Sequence, residues 1–174
     1  MKCYSSLKSE EDALCLYKNI NYFQAQYLQK LFYMLPDNFN IRVYGICINN
    51  YNKILISKEN YSGHSIVKFP GGGLEYGEGT IDCLKREFRE ELNVEIKIIE
   101  HFYTTDFYQL SAFNKNDQII SIYYTIELEN QIIKSTNNIN INWLSLNELK
   151  ADHFIFPIDQ KVASMLLDSS QLNT

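Results

Sequence analysis

The sequence has no apolar run of about 20 residues, the length a membrane-spanning helix needs. Its start, MKCYSSLKSEEDALC, lacks the apolar core of a secretory signal. Both absences lead to the expectation of a cytoplasmic protein with no membrane partner. Four cysteines are present, Cys3, Cys15, Cys47 and Cys83, and no two have CxxC spacing, which removes the usual zinc-cluster pattern. Cys47 lies in an apolar strand-like run and Cys83 in a helical one, so both read as small buried hydrophobes rather than nucleophiles. Basic residues never gather beyond pairs such as Lys85-Arg86, and the net charge is −5. A protein that grips long DNA or RNA carries a basic patch. No DNA partner is expected, and a small substrate fits better than a polymer. There are no internal repeats. The 174 residues are 45% hydrophobic, enough for one domain with a real core.

Glycine is scarce except in one place. Five of the seven glycines are Gly71, Gly72, Gly73, Gly77 and Gly79, inside a stretch from Lys68 to Val94 that reads KFPGGGLEYGEGTIDCLKREFREELNV. Glycine permits positive φ and close approach of backbone to a ligand. A glycine-rich turn beside a helix N-terminus leaves N–H groups free for an anion. The helix that follows is expected to be capped by Thr80, with Asp82 in its first turn. Ile81, Leu84, Phe88 and Leu92 form an apolar stripe at helical spacing. Glu87, Glu90 and Glu91, at i, i+3 and i+4, share another face. Like charges at that spacing oppose the helix by a few tenths of a kcal/mol. A solvated acidic face is the plain alternative. A hard divalent cation explains three converging carboxylates better, because oxygen ligands suit Mg²⁺ or Mn²⁺.

The register of Gly72, Glu78, Arg86-Glu87-Phe88, Glu90-Glu91 and Asn93-Val94 resembles the Nudix box of the Nudix hydrolases at every fixed position but one. The departure is Asn93, where the family usually has glycine. Asparagine tolerates the left-handed conformation, so the helix can still end there. The resemblance implies a Mg²⁺- or Mn²⁺-dependent hydrolase that cleaves the diphosphate linkage of a small nucleoside diphosphate derivative: a nucleotide sugar, a dinucleotide or a nucleoside triphosphate. It implies Glu87, Glu90 and Glu91 as metal ligands, with Glu87 also a candidate general base. It implies Arg86 as the residue that orients one of those glutamates, Glu78 as a supporting or outer-sphere acid at the metal, and Gly72 as a shaper of the loop. A nucleotide-sensing module of the same fold and an RNA 5′-end pyrophosphohydrolase are the alternatives. The intact glutamate set opposes the first, and the acidic net charge opposes the second. Isopentenyl diphosphate isomerases share the fold but need a catalytic cysteine, which no cysteine here is placed to supply.

The rest of the chain reads as scaffold. Residues 1–39 are expected to form a helical extension, which packs on the domain, makes a homodimer contact or covers the substrate. Residues 40–174 are expected to form the Nudix domain. Within it, NIRVYGICI and KILISKE flank the turn Asn49–Asn52 in a hairpin signature. Ser65–Phe69 is a third strand leading into the glycine loop. Arg42, Tyr44 and Lys68 are candidates for substrate contact, because a charge in a strand pattern needs a partner. Val94–Thr105 and Gln118–Glu127 read as further strands, and the loop between them offers Phe107, Tyr108 or Phe113 for stacking on a base. Asn130–Asn142 reads as a polar loop with an edge strand. A short helix follows Trp143, and Pro157 opens the last helix at its first position, through Leu167. Ser169–Thr174 reads as frayed. His101 and His153 read as structural. The fold class is α+β, with a mixed sheet between helices.

Overall fold

The computed structural model describes residues 35–61, 64–129, 133 and 140–171. The chain divides into two units, Met1–Asp37 and Asn38–Thr174, and only the second is described in detail. The helices expected within residues 1–39 lie, through residue 34, outside the described residues. So does most of the polar loop after residue 129.

Among the described residues of the second unit are seven strands: β1 (Asn38–Cys47), β2 (Lys53–Tyr61), β3 (His64–Lys68), β4 (Gly71–Gly73), β5 (Ile96–Thr104), β6 (Asp117–Leu128) and β7 (Asn140–Ser145). Two α-helices accompany them, α1 (Thr80–Leu92) and α2 (Pro157–Gln171), with two 3₁₀ turns at Leu146–Glu148 and Ala151–His153. The short helix expected after Trp143 is these two turns. The last helix starts at Pro157 as expected, but runs on through Ser169 to Gln171, past the expected end.

One sheet has the order β4-β1-β6-β5 and the other β3-β2-β7. The long pairing of β1 with β6 is parallel, from Asn38 opposite Asp117 to Cys47 opposite Ile126. The remaining pairs are antiparallel. The architecture is therefore mixed α+β, as the sequence suggests. The expected hairpin is not there. β1 and β2 enter different sheets and are joined only by the bridge of Ile48 with Ile54 beyond the turn. The turn itself forms, with Asn49 Oδ1 accepting from the Tyr51 and Lys53 amides and Asn52 at φ 59°. The reason lies in burial: every residue from Val43 to Cys47 is buried, so both faces of β1 are covered. A strand of that kind needs a neighbour on each edge, and β4 and β6 supply them.

Two cores result from the two-residue period of the strands. Tyr44, Ile46, Ile54 and Ile56 point into one core with Phe69, Tyr123, Phe154 and the Ile158–Val162–Leu166 face of α2. Val43, Cys47 and Leu55 point into the other with Leu84, Phe88 and Leu92 of α1. Each helix thus has its own core, and β1 serves both.

Candidate active site

Helix α1 carries the glutamates. Its N-cap is Gly79 rather than Thr80, and the Gly79 amide donates to Asp82 Oδ2 at 3.4 Å. Thr80 is the first helical residue, and its hydroxyl bonds to the Tyr124 hydroxyl at 2.8 Å. The buried stripe is Cys83, Leu84, Phe88 and Leu92, whereas Ile81 is 42% exposed. Cys83 takes the place expected for Ile81, with its Sγ donating to the Gly73 carbonyl at 3.3 Å. Asn93 caps the C-terminus at φ 53° and ψ 42°, and the Asn93 and Val94 amides return to the Arg89 and Phe88 carbonyls. That is a left-handed cap made by asparagine. Burial pushes the Cys47 thiol up to about 11 and the Cys83 thiol up to about 12. Both stay protonated at neutral pH and serve as packing, in line with their reading from the sequence.

Arg86 is the hub of the acidic face. Its Nε donates to Glu78 Oε2 at 3.1 Å and its Nη2 to Glu78 Oε1 at 2.8 Å, a two-pronged pair. Nη1 donates to Glu87 Oε1 at 3.0 Å and to Glu90 Oε2 at 3.2 Å. Nη2 also reaches the Gly73 carbonyl at 2.9 Å. A guanidinium has five N–H donors, and this network uses all of them. Hydrogen bonds from Arg86 hold the Glu78 carboxyl down at about 2. Both Glu78 oxygens are occupied, since Oε1 also accepts from the Glu75 amide at 2.7 Å. Glu78 therefore faces Arg86 and braces it.

The glycine loop bears on Glu87 directly. A Cβ built at Gly72 would stand 2.3 Å from Oε1 and 2.5 Å from Oε2 of Glu87, so the bare backbone here leaves room for that carboxylate. Glu91, the third acid, faces a different set of neighbours. Burial raises it to about 7, Lys68 opposes the rise, and Glu87 and Glu59 add to it. Among the described residues no three acidic or imidazole side chains are already gathered into a metal cage. The donor set nonetheless fits a hard divalent cation, which uses one or two carboxylates and completes its shell with water and substrate phosphate.

Beside the box lies a cavity of about 620 Å³. Arg42, Tyr44 and Lys68 line it, and no box glutamate does. Arg42 and Lys68 link cavity and box electrostatically, since both oppose the rise at Glu91. The Arg42 Nε donates to the Tyr44 hydroxyl at 2.6 Å, and Tyr44 stacks on Tyr123 at 5.3 Å. Of the three loop aromatics proposed for stacking, only Phe113 lines the cavity, edge-on to Phe156 at 5.9 Å. Phe107 instead lies under Lys161, 5.5 Å from its Nζ. Neither His101 nor His153 reaches the cavity, and His101 bonds to the Thr104 hydroxyl at 2.8 Å.

The cavity also holds residues absent from the sequence expectations: Asn40, Glu59, Ser121, Tyr123 and Asp159. Asp159 is 2% exposed and accepts from the Tyr123 hydroxyl at 2.5 Å. One signal for it does exist in the sequence. Asp159, Val162, Ala163 and Leu166 recur at i, i+3, i+4 and i+7, which sets an acid in a buried stripe. Burial lifts Asp159 from 3.8 to about 7, while Tyr123, Lys68 and Arg42 oppose the rise. The folded acid keeps its proton where the unfolded one has lost it. Stability is thus full below the unfolded value and falls as pH rises toward 7. Calorimetry in chelator is expected to show Tm falling by several degrees from pH 5 to 7.5. Asp159→Asn should flatten part of that slope, Glu91 contributing the remainder with the same sign. An unchanged slope in the variant would remove Asp159 as a source.

The NUDIX domain family matches residues 39–164. Among curated proteins no match to the chain was found. Solved structures share the fold at low identity. A NUDIX hydrolase from Nitrosomonas europaea is 19% identical with a TM-score of 0.61, over 73% of this chain and 87% of that one. A MutT protein from Methanosarcina mazei Go1 is 18% identical with a TM-score of 0.61, over 77% and 96%. An ADP-ribose pyrophosphatase from Streptococcus suis is 15% identical with a TM-score of 0.53, over 75% and 91%. With a family match spanning well over half its length, and with Glu78, Glu87 and Glu90 of the box, their arginine and the glycine loop joined in one network, this chain belongs to the Nudix family of diphosphate-hydrolysing enzymes.

Proposed function

We propose that the protein hydrolyses the diphosphate linkage of a small nucleoside diphosphate derivative with the help of Mg²⁺ or Mn²⁺. The observation that carries this reading is the Arg86 network, which holds Glu87 and Glu90 on one face of α1 beside the open backbone of Gly72. Glu87, Glu90 and Glu91 are the residues to hold the cation. When bound, it supplies charge neutralisation at the phosphates and a more acidic water. Arg86 orients Glu87 and Glu90, and Glu78 fixes Arg86 in turn. Glu87, next to the glycine loop, is the candidate proton acceptor. Arg42 is the phosphate-side cation at the cavity mouth, and Tyr44 holds its guanidinium in place. The cavity is large enough for the organic part of a nucleotide. Asn40, Ser121 and Asp159 give it polar atoms among apolar walls such as Ile66 and Ile119.

The test is phosphate release from a panel of nucleoside diphosphate derivatives with Mg²⁺ or Mn²⁺, beside Glu90→Gln. The variant is expected to lose activity by about 10²–10³-fold. Its Tm should be unchanged, because the Glu90 side chain is 59% exposed. Equal silence of wild type and variant, with tight nucleotide binding, would support a sensing module instead.

A further inference from the structure

Lys68 is a charged residue in an improbable position. Only 7% of it is exposed, at the end of β3 and just before the glycine loop. An ammonium taken out of water must be paired and hydrogen-bonded. Its Nζ lies 2.7 Å from Glu59 Oε1 on β2 and donates to the Gly71 carbonyl at 3.4 Å. Glu59 is itself braced, since the buried Ser57 hydroxyl donates to the same Oε1 at 3.4 Å. Lys68 therefore ties the first residue of β4 to Glu59 on the other sheet. The next residue, Gly72, is the one whose missing Cβ makes room for Glu87.

We infer that Lys68, anchored by Glu59, is a positioning residue that joins the cavity wall to the glycine loop and the glutamate helix, rather than a phosphate ligand. This ammonium is committed to a carboxylate and a backbone carbonyl. Glu59, absent from the site as read from sequence, becomes part of the machinery through Lys68. The kinetic part of this inference rests on the function proposed above, whereas its structural part does not.

The experiment compares wild type, Lys68→Met, Glu59→Gln and the double variant. The first readout is native-state amide exchange without metal or substrate. The Gly45 amide donates to the Pro70 carbonyl and the Leu74 amide to the Ile41 carbonyl, both at 2.9 Å, flanking the loop. Both amides are expected to exchange about tenfold faster in each single variant, relative to β6 amides as an internal reference. Exchange that is unchanged, or that accelerates equally in β6, overturns the inference whatever the activity. The second readout is steady-state kinetics. Both single variants should lower kcat with KM within about twofold, and the double variant should be no worse than Lys68→Met. A phosphate ligand predicts the reverse pattern: Lys68→Met raises KM, and Glu59→Gln frees the ammonium and lowers KM. Faster loop exchange in a chain that hydrolyses nothing would keep the inference and remove the proposed function. If Lys68→Met does not fold, Glu59→Gln carries the test, because the Glu59 side chain is 31% exposed.

Discussion

Arg86→Met is expected to lower kcat about a thousandfold and to lower Tm by several degrees. The single guanidinium satisfies Glu78, Glu87, Glu90 and the Gly73 carbonyl. Methionine matches much of its apolar stem but supplies no donor. Three carboxylates would then share one small region without their common cation. Their mutual repulsion would turn Glu87 and Glu90 outward, and Glu78 would lose the partner that holds its carboxyl down at about 2. Arg86→Lys should fall between the two. A lysine is a point charge that can meet one or two of these acceptors but cannot span the fork to Glu78 and still reach Glu87. The measurement is kcat against Mg²⁺ concentration with a melting curve for each variant. Higher Mg²⁺ should recover part of the Arg86→Met loss, since a divalent cation replaces some of the missing charge. A folded Arg86→Met protein with wild-type kcat would dismiss the hub.

The candidate site is legible in sequence to the extent that its parts are neighbours along the chain. Gly72, Glu78, Arg86, Glu87, Glu90 and Glu91 lie within one loop and one helix, where fixed spacing sets geometry. Even Asn93 could be read as the helix end, because left-handed tolerance belongs to the residue itself. The end of α1 nearest the loop was harder. Thr80 has the chemistry of an N-cap, but the Tyr124 hydroxyl on β6 claims its side chain, and Gly79 becomes the cap. The β1–β2 hairpin failed for a similar reason. A turn signal fixes the turn, while partners for a strand buried on both faces come from β4 and β6. The cavity was the least legible part. Asn40, Glu59, Ser121, Tyr123 and Asp159 come from four separate places in the sequence and meet only when β1, β2, β6 and α2 assemble. Lys68 was visible as a charge needing a partner, but Glu59 could be named only once β2 and β3 were in register.

Two adjacent glycines are expected to answer to alanine in opposite ways. Gly71 sits at φ 133°, and a Cβ there would lie 2.2 Å from the Val43 carbonyl oxygen. That neighbour is backbone in the central strand and cannot yield, so Gly71→Ala should destabilise the whole domain. Gly72 does not have the positive φ that only glycine accepts readily. What its Cβ would meet is the Glu87 carboxylate, the far end of a flexible side chain, at 2.3 to 2.5 Å. The side chain can swing away at little cost to the fold, but the carboxylate then leaves the place where Arg86 Nη1 holds it. Gly72→Ala is therefore expected to keep Tm within a few degrees of wild type while kcat falls at least about a hundredfold. Mn²⁺ affinity, read by titration without substrate, should fall with it. Paired melting and kinetic measurements separate the two positions. If Gly72→Ala is as active as wild type, Glu87 is not held against the loop for catalysis. If it loses activity only in proportion to lost stability, the glycine serves the fold alone.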